Sequence, residues 1–585
     1  MISAVATAGV PRLRRPASTK RLDAGLLFAL AIGLCAAVPV IAATVRALAD
    51  GWLPAGDQAN IATRAHDVFT ARSSLVGLHS DASAAINHDV YSLGPMLFWL
   101  LAVPSRLSTP AWMTLTMGLL NTASIVGAVV LARRRGGQLL MLLTAAALVL
   151  MSRSLAPEVL HDVWNPSAGL FPFTLLIFLC WSLACGEYRL LPLTVLVASF
   201  VVQCQLAFVP PSLGLVAVAV VGLGVSLRRP GSPTGDERPR RRVWVWALAA
   251  LVVAIACWTP PAIDQIEGHP GNLTWAVRAA TANTTKLGAT VGWHAVVRAV
   301  GVPPWWLRNP SSPWNRKYEV RTRSSAAATI TTVLALAMLL ALAAVGVLRR
   351  RAELWTGALI ALALCVGLFA VAEATPVKRV LAETLGYTMW WGSPAGMFVW
   401  LALVWGVVTV LGELAPARLR AGIHVPRVPA PAAAAAGAAV VAVLAAGVAA
   451  DARADYHLPE YAPLARIYSG LHRGVPAGRT VRLLGSLGNS TFRFKQAARF
   501  ALLRRGARPL SPGIDVRLGT WYDVDHRHYD CTVYVEDGAR RPARSAVAVA
   551  RTRFDDGSGS YPLSVWVAPA GCPRSAANGA PRHAA

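Results

Sequence analysis

Apolar stretches of about 18 to 24 residues recur between residues 26 and 450 of this chain, and each is long enough to cross a hydrocarbon core. They predict an all-α polytopic membrane protein. We place spans at 26–48, 111–132, 138–151, 170–185, 190–209, 213–227, 243–258, 326–348, 354–372, 395–411 and 431–450, about eleven in all. Composition agrees, since 55% of the 585 residues are hydrophobic and only 15% are charged. The first run follows Arg12, Arg14, Arg15, Lys20 and Arg21, a pattern that also suits a signal peptide. Its length and the lack of a convincing cleavage site favour a retained anchor.

A formal charge of +27 invites a nucleic-acid reading, but the basic residues sit in short clusters at the ends of the apolar runs. Membrane orientation accounts for them, and no nucleic-acid partner is expected. With the basic segment 1–22 in the cytoplasm, the clusters at 133–135, 187–189, 228–242, 349–351 and 418–427 all fall on the inner side. The exception is 259–325, which carries Arg316, Lys317, Arg321 and Arg323, in a loop long enough to be weakly governed by that rule. The membrane domain then covers 23–450, with outer loops 49–110, 152–168, 259–325 and 373–394, in the plasma membrane.

The tail, 451–585, changes character. Alternating segments "RTVRLLGS", "CTVYVED" and "SAVAVARTRF" surround a helical "STFRFKQAARFALLRRG", which predicts a small extracytoplasmic α/β domain. Cys531 and Cys572 are its two cysteines; they can pair in an oxidising compartment or stay apart, because sequence does not supply their separation. Six further cysteines lie inside apolar runs, where a small hydrophobic role suffices.

Just beyond the first span lies "GDQANIATRAHDVF", a helix start whose first acid is Asp57. The bland reading of that acid is an N-cap. Its position in a long loop that must fold back on the membrane suits a general base meeting a lipid-borne substrate. The segment, together with "SLVGLHSDASAAINHDVYSLGPMLFWLLAVPSRL" and "HDVWNPSAGLFPFTLLIFLCWSLACGEY", resembles polytopic GT-C-type glycosyltransferases, the broad group with protein O-mannosyltransferases, aminoarabinose transferases and their actinobacterial relatives. The resemblance covers roughly residues 20 to 400. It implies a GT-C-like fold, a polyprenyl-phosphate-linked sugar as donor, a cell-envelope glycan, lipid or protein as acceptor, and an acid in the first outer loop. Asp57 matches that acid; Gln58 replaces the usual second acid, and Asn60 and Ile61 depart from the common Arg-Tyr pair. A second loop of such enzymes often supplies another acid, and Asp162 in "HDVWNP" is the match, with Glu158 behind it.

The chemistry gives each acid a role. The acceptor hydroxyl must lose its proton as it attacks the anomeric carbon, whereas the phosphate leaves already ionised and needs a cation. Asp57 is therefore the expected base and Asp162 its support. Cations for the phosphate come from Arg64, Arg308, Lys378 and Arg379, each of which also reads as an interfacial anchor. His88, His161 and Asn165 join them as substrate contacts, and Trp390 and Trp391 read first as an aromatic belt, then as stacking surfaces. His66, His79, His88 and His161 each lie near an Asp and raise the possibility of a divalent metal. Their spacing fits no tight ligand pattern, so no metal residue is assigned.

Two other classes remain open. A transporter or flippase of lipid-linked glycans predicts acids within the spans, and these spans carry almost none. A non-catalytic envelope scaffold predicts that function resides in the tail.

Overall fold

A computed structural model describes residues 24–228, 239–309, 313–414, 430–451, 453, 455–485, 489–512, 518, 520–524, 527–555 and 559–573. The basic segment 1–22, most of the 228–242 connection and the 418–427 connection lie outside these residues. Backbone groups within a bilayer need internal partners, and helices provide them. Eight described helices are long and apolar enough to cross a membrane, or nine if the bent pair Ala24–Ala36 and Val38–Ala49, meeting at 49°, is one span.

Two local features account for the difference from eleven: one of these helices has two arms, and one expected run falls short of that length. The predicted runs 111–132 and 138–151 are the two arms of the helical stretch Ala111–Arg153, which is interrupted by non-helical backbone at Gly136 and Gly137. Gly137 has φ 69°, a left-handed conformation that a residue without Cβ adopts readily. The arms fold back on each other: Thr114, near the start, hydrogen-bonds the carbonyl of His161 at 2.8 Å, only a few residues past the end. Asn121 likewise donates to the carbonyl of Leu160 at 2.8 Å. The predicted run 190–209 is shorter than expected, because helix Leu191–Cys204 stops at an extended Gln205. The freed carbonyl of Cys204 accepts from Asn165 Nδ2 at 3.0 Å and from Ser92 Oγ at 3.2 Å, the kind of compensation a broken helix requires inside a membrane protein.

The two ends of the bundle differ. At one end Arg134 and Arg135 pair with Glu187, and Arg349 and Arg351 with Glu413. At the other end lie the loops around residues 50–110, 152–168, 259–325 and 373–394, together with the tail.

The tail contains a mixed five-stranded sheet: β1 (Thr480–Gly485), β2 (Arg508–Leu510), β3 (Cys531–Asp537), β4 (Val547–Asp555) and β5 (Ser560–Ala568), in spatial order β2-β1-β3-β5-β4. The β2, β1 and β3 strands run parallel, and β5 pairs antiparallel with both β3 and β4. The Cys531–Cys572 pair is a disulfide with a Cα separation of 5.2 Å. Helix Leu458–Gly474 packs on β4, and helix Asn489–Arg504 packs on the first-loop helix Gly56–Asp67. One apolar cluster runs from Trp52, Ile61 and Phe98 into Leu464, Phe494 and Val533, so the tail and first loop share a core.

Candidate active site

Helix Gly56–Asp67 opens with Ala55 as an extended N-cap residue and Gly56 at φ 52°. Asp57 is not its cap. The Ala55 N–H donates instead to the Gln58 side-chain oxygen at 3.3 Å, the returning half of a capping box. Gln58 also hydrogen-bonds Asp162. With Gln58 holding the helix start, the next residues on the other side, Asp57 and Asn60, line a small polar pocket.

Five chain segments build this pocket. Asp57 and Asn60 come from the first-loop helix, and Leu78, His79, Ser80 and Asp81 from the strand-like stretch bridged at His79 and Tyr91. Trp164, Asn165 and Pro166 belong to the second loop, Gln205 to the broken helix, and Tyr387 to helix Arg379–Thr388. Asn165 Nδ2 donates to Gln205 Oε1 at 3.0 Å, joining the second loop to the end of the broken helix. Tyr387 donates to Asp81 at 2.8 Å. Burial, with the Asp81 and Asp57 charges adding to it, keeps the Tyr387 phenol protonated by pushing its pKa well above the ordinary value. One wall is aromatic: the Trp164 ring lies 4.9 Å from Tyr387, 5.6 Å from Trp314 and 5.7 Å from Trp390, centroid to centroid.

An apolar groove of about 370 Å³ adjoins this pocket. The two share Ser80, Asp81, Gln205 and Tyr387, and the groove continues past Leu206, Val209, Leu273, Val277 and Leu381. Its one lysine or arginine among the described residues is Lys286.

Among the expected site residues, the structure brings Asp57, Asn165 and, through the aromatic wall, Trp390 together. Several others lie elsewhere. Trp390 and Trp391 are buried rather than forming an interfacial belt, and Trp391 packs against Phe173. Arg308 pairs with Glu319 at 3.3 Å and does not line the pocket. Arg379 is exposed and faces Glu383, while Lys378 donates to the carbonyl of Ala84 at 2.7 Å and steadies the first loop beside the groove. His88 stacks on Trp275 at 3.6 Å and lines neither cavity. Arg64 is buried among Asp67, Tyr522 and Tyr91. The described residues contain no group of three His, Cys, Asp or Glu side chains able to hold a metal ion. Asp81, Asn60, Gln205, Tyr387 and Lys286 are pocket or groove residues that sequence reading missed. Only Asp81 carried a signal, as an acid in the same loop as Asp57.

Asp162 and His161 belong to a second, buried cluster behind Gln58. His161 bonds Thr114 at 2.9 Å through Nδ1 and faces the tail's Asp455 at 3.3 Å through Nε2. Arg493 pairs with Glu460 at 2.7 Å, beside His457. Burial raises the Asp162 carboxyl pKa, against the opposing effects of His457, His161 and the Gln58 hydrogen bond. Burial also raises Glu158, and the Asp455 charge adds to it. Asp455 differs: burial pushes it up, but bonds from His161 and Tyr461 override this and hold it at about 2.

Gln58→Glu sets a carboxylate against Asp162, so the variant should melt earlier than wild type, with the gap widening as pH rises and both acids ionise; equal melting at all pH values would refute the contact's importance. For the wild type, Glu158 and Asp162 have folded-state pKa values above their unfolded ones. Their contribution is complete below the ordinary carboxyl range near pH 4 and is lost as pH rises through the folded values, whereas Asp455 contributes until pH falls towards 2. Thermal stability should therefore decline from about pH 5 upward, and Glu158→Gln should flatten that decline.

No protein-family model matches the chain, and no curated protein matches it. Among solved structures, it is similar to the crystal structure of ArnT from Cupriavidus metallidurans in the apo state, with a TM-score of 0.47 and 14% sequence identity, covering 90% of this chain and 97% of that one.

Proposed function

We propose that this chain is an integral-membrane glycosyltransferase of the GT-C kind, moving a sugar from a polyprenyl-phosphate donor to a cell-envelope acceptor on the extracytoplasmic face. The observation that carries this reading is the continuity of a polar, carboxylate-bearing pocket with an apolar groove through Ser80, Asp81, Gln205 and Tyr387. A prenyl chain needs the groove, a sugar ring needs the pocket, and the scissile bond then falls at their junction. The acids lie in the loops rather than in the spans, which disfavours a transporter.

In this mechanism Asp57 accepts the proton of the acceptor hydroxyl as that oxygen bonds to the anomeric carbon. The bond from that carbon to the phosphate oxygen breaks, and polyprenyl phosphate leaves with the electron pair. Lys286, on the groove wall, offsets the anion's charge. Trp164 supplies an apolar face for the ring, and Asp81 is oriented by Tyr387. Asp162 acts as a positioning residue through Gln58, next to the base.

The test uses the full-length protein in liposomes with synthetic polyprenyl-phosphate sugars and envelope extract as acceptor. Release of free polyprenyl phosphate with glycosylated acceptor is the expected outcome. Movement of intact lipid-linked sugar across the bilayer without bond cleavage would replace the enzyme by a transporter.

A further inference from the structure

The tail meets the helix that carries the proposed base along one stripe. In helix Asn489–Arg504, the residues Arg493, Ala497, Ala501 and Arg504 recur at helical spacing and so share one face. At the start of the stripe the Arg493 stem lies over Gly56: a Cβ on that glycine would stand 3.5 Å from Arg493 Cγ. The guanidinium beyond it is pinned within the tail, 2.7 Å from the buried Glu460 carboxylate and 2.7 Å from His457 Nδ1. At the far end Arg504 donates to the carbonyls of Leu107 and Ser108, at 2.6 and 2.8 Å. Between the two arginines, Ala497 and Ala501 are buried in the same apolar cluster as Ala59, Ala62 and Ala65 of the first-loop helix, small side chains that let the two helices approach.

We propose that Arg493 is a positioning residue of the transferase, through which the tail fixes the helix start that bears Asp57. The inference rests on the glycosyltransferase reading and adds the tail to the catalytic unit. Gly56 and Gln58 flank Asp57 in the chain, and each is held from a different element: Gln58 by Asp162 of the second loop, Gly56 by the Arg493 stem of the tail. Gly56 depends on that cover. Its φ of 52° is a left-handed conformation, and a residue without Cβ has no side chain of its own to lock it. With Arg504 on Leu107 and Ser108, the tail helix braces the first outer loop from its helix start to the residues just before the span that begins at Ala111. Proton transfer is sensitive to such bracing, since a displacement of about 1 Å can cost about 100-fold in rate.

The experiment assays the full-length protein in liposomes with a synthetic polyprenyl-phosphate sugar and envelope extract, as wild type, Arg493→Met, Arg493→Lys and Glu460→Gln. Arg493→Met keeps an apolar stem over Gly56 and loses the anchor, whereas Arg493→Lys keeps both stem and charge. Arg493→Met should lower kcat by about 10-fold with the donor KM within about 2-fold of wild type, and Arg493→Lys should recover most of that loss. Hydrogen exchange in Arg493→Met should quicken at the start of helix Gly56–Asp67 while strands β1, β3 and β5 keep their protection. Glu460→Gln removes the charge of the anchor and should lower kcat by about 3-fold at unchanged donor KM. A wild-type kcat in Arg493→Met overturns the inference and leaves the glycosyltransferase reading intact. So does Arg493→Lys no better than Arg493→Met. If Arg493→Met does not fold, Glu460→Gln decides: the lowered kcat at unchanged KM upholds the inference, and a wild-type kcat overturns it. Release of no polyprenyl phosphate by the wild type overturns both readings.

Discussion

Asp57→Asn is expected to lower kcat for sugar transfer by roughly 10²- to 10⁴-fold, with KM for the donor little changed. The substitution keeps the size and polarity of the side chain and removes its ability to take a proton. Its structural cost should be small, because the helix start does not depend on it. Gln58, not Asp57, satisfies the Ala55 N–H. The loss of a negative charge in the first turn costs about 0.5 kcal/mol. The variant should therefore insert, fold and melt like wild type while releasing no polyprenyl phosphate above background. Near-normal turnover would remove Asp57 as the base and leave Asp81, the other carboxylate in the pocket, as the group to test.

The second large effect is expected at the other end of the same helix. Asp67 is fully buried, receives a hydrogen bond from Tyr522 of the tail and pairs with Arg72 at 3.1 Å. Arg64 and Arg106 also bear on it electrostatically, so one carboxylate neutralises a cationic surrounding. Asp67→Ala leaves buried Arg64 without its nearest anion and Tyr522 without its acceptor, and breaking a buried pair from one side costs about 3–5 kcal/mol. Tyr522→Phe removes only one hydrogen bond to a charged group and should cost about 1.5–3 kcal/mol. Thermal melting gives the magnitude. Hydrogen exchange gives the location, since helix Asn489–Arg504 packs on this helix and should lose protection first. Asp67→Ala melting with wild type would mean that the carboxylate carries no docking energy.

The two acids illustrate what was legible. Asp57 could be singled out because it begins a helical pattern directly after a membrane span, and that local context is written in consecutive residues. Asp67 gives no such signal. In sequence it reads as a solvated residue almost three turns on, and its burial depends on Tyr522, a residue of the tail more than four hundred positions away. Trp390 and Trp391 show the same limit. Tryptophans at the end of an apolar run suit an interfacial belt, but here neighbouring helices and loops cover them. The runs 111–132 and 138–151, by contrast, are legible in sequence as separate arms. A hydropathy window registers the two apolar lengths, and Gly136 and Gly137 mark the break at which the chain turns back.

Asp162 sharpens the point. The sequence supports a second acid near the first, and the fold does bring their loops together. It nevertheless turns Asp162 away from the pocket, to Gln58 on one side and the His161, His457 and Asp455 cluster on the other. The pocket's second carboxylate is Asp81, because the bridge at His79 and Tyr91 returns the first loop to the site and Tyr387 holds the carboxylate there.

By itself, then, the sequence determined the helical membrane class, the α/β character of the tail and the helix that carries Asp57. Each follows from apolar run length, alternation or helical periodicity acting over fewer than about 25 neighbouring residues. Only the tertiary structure decided which acids share a cavity, which aromatic residues form its wall, and that an apolar groove opens beside it. Those depend on loops and helix ends from across the whole chain meeting at one end of the bundle, and no local pattern encodes such a meeting.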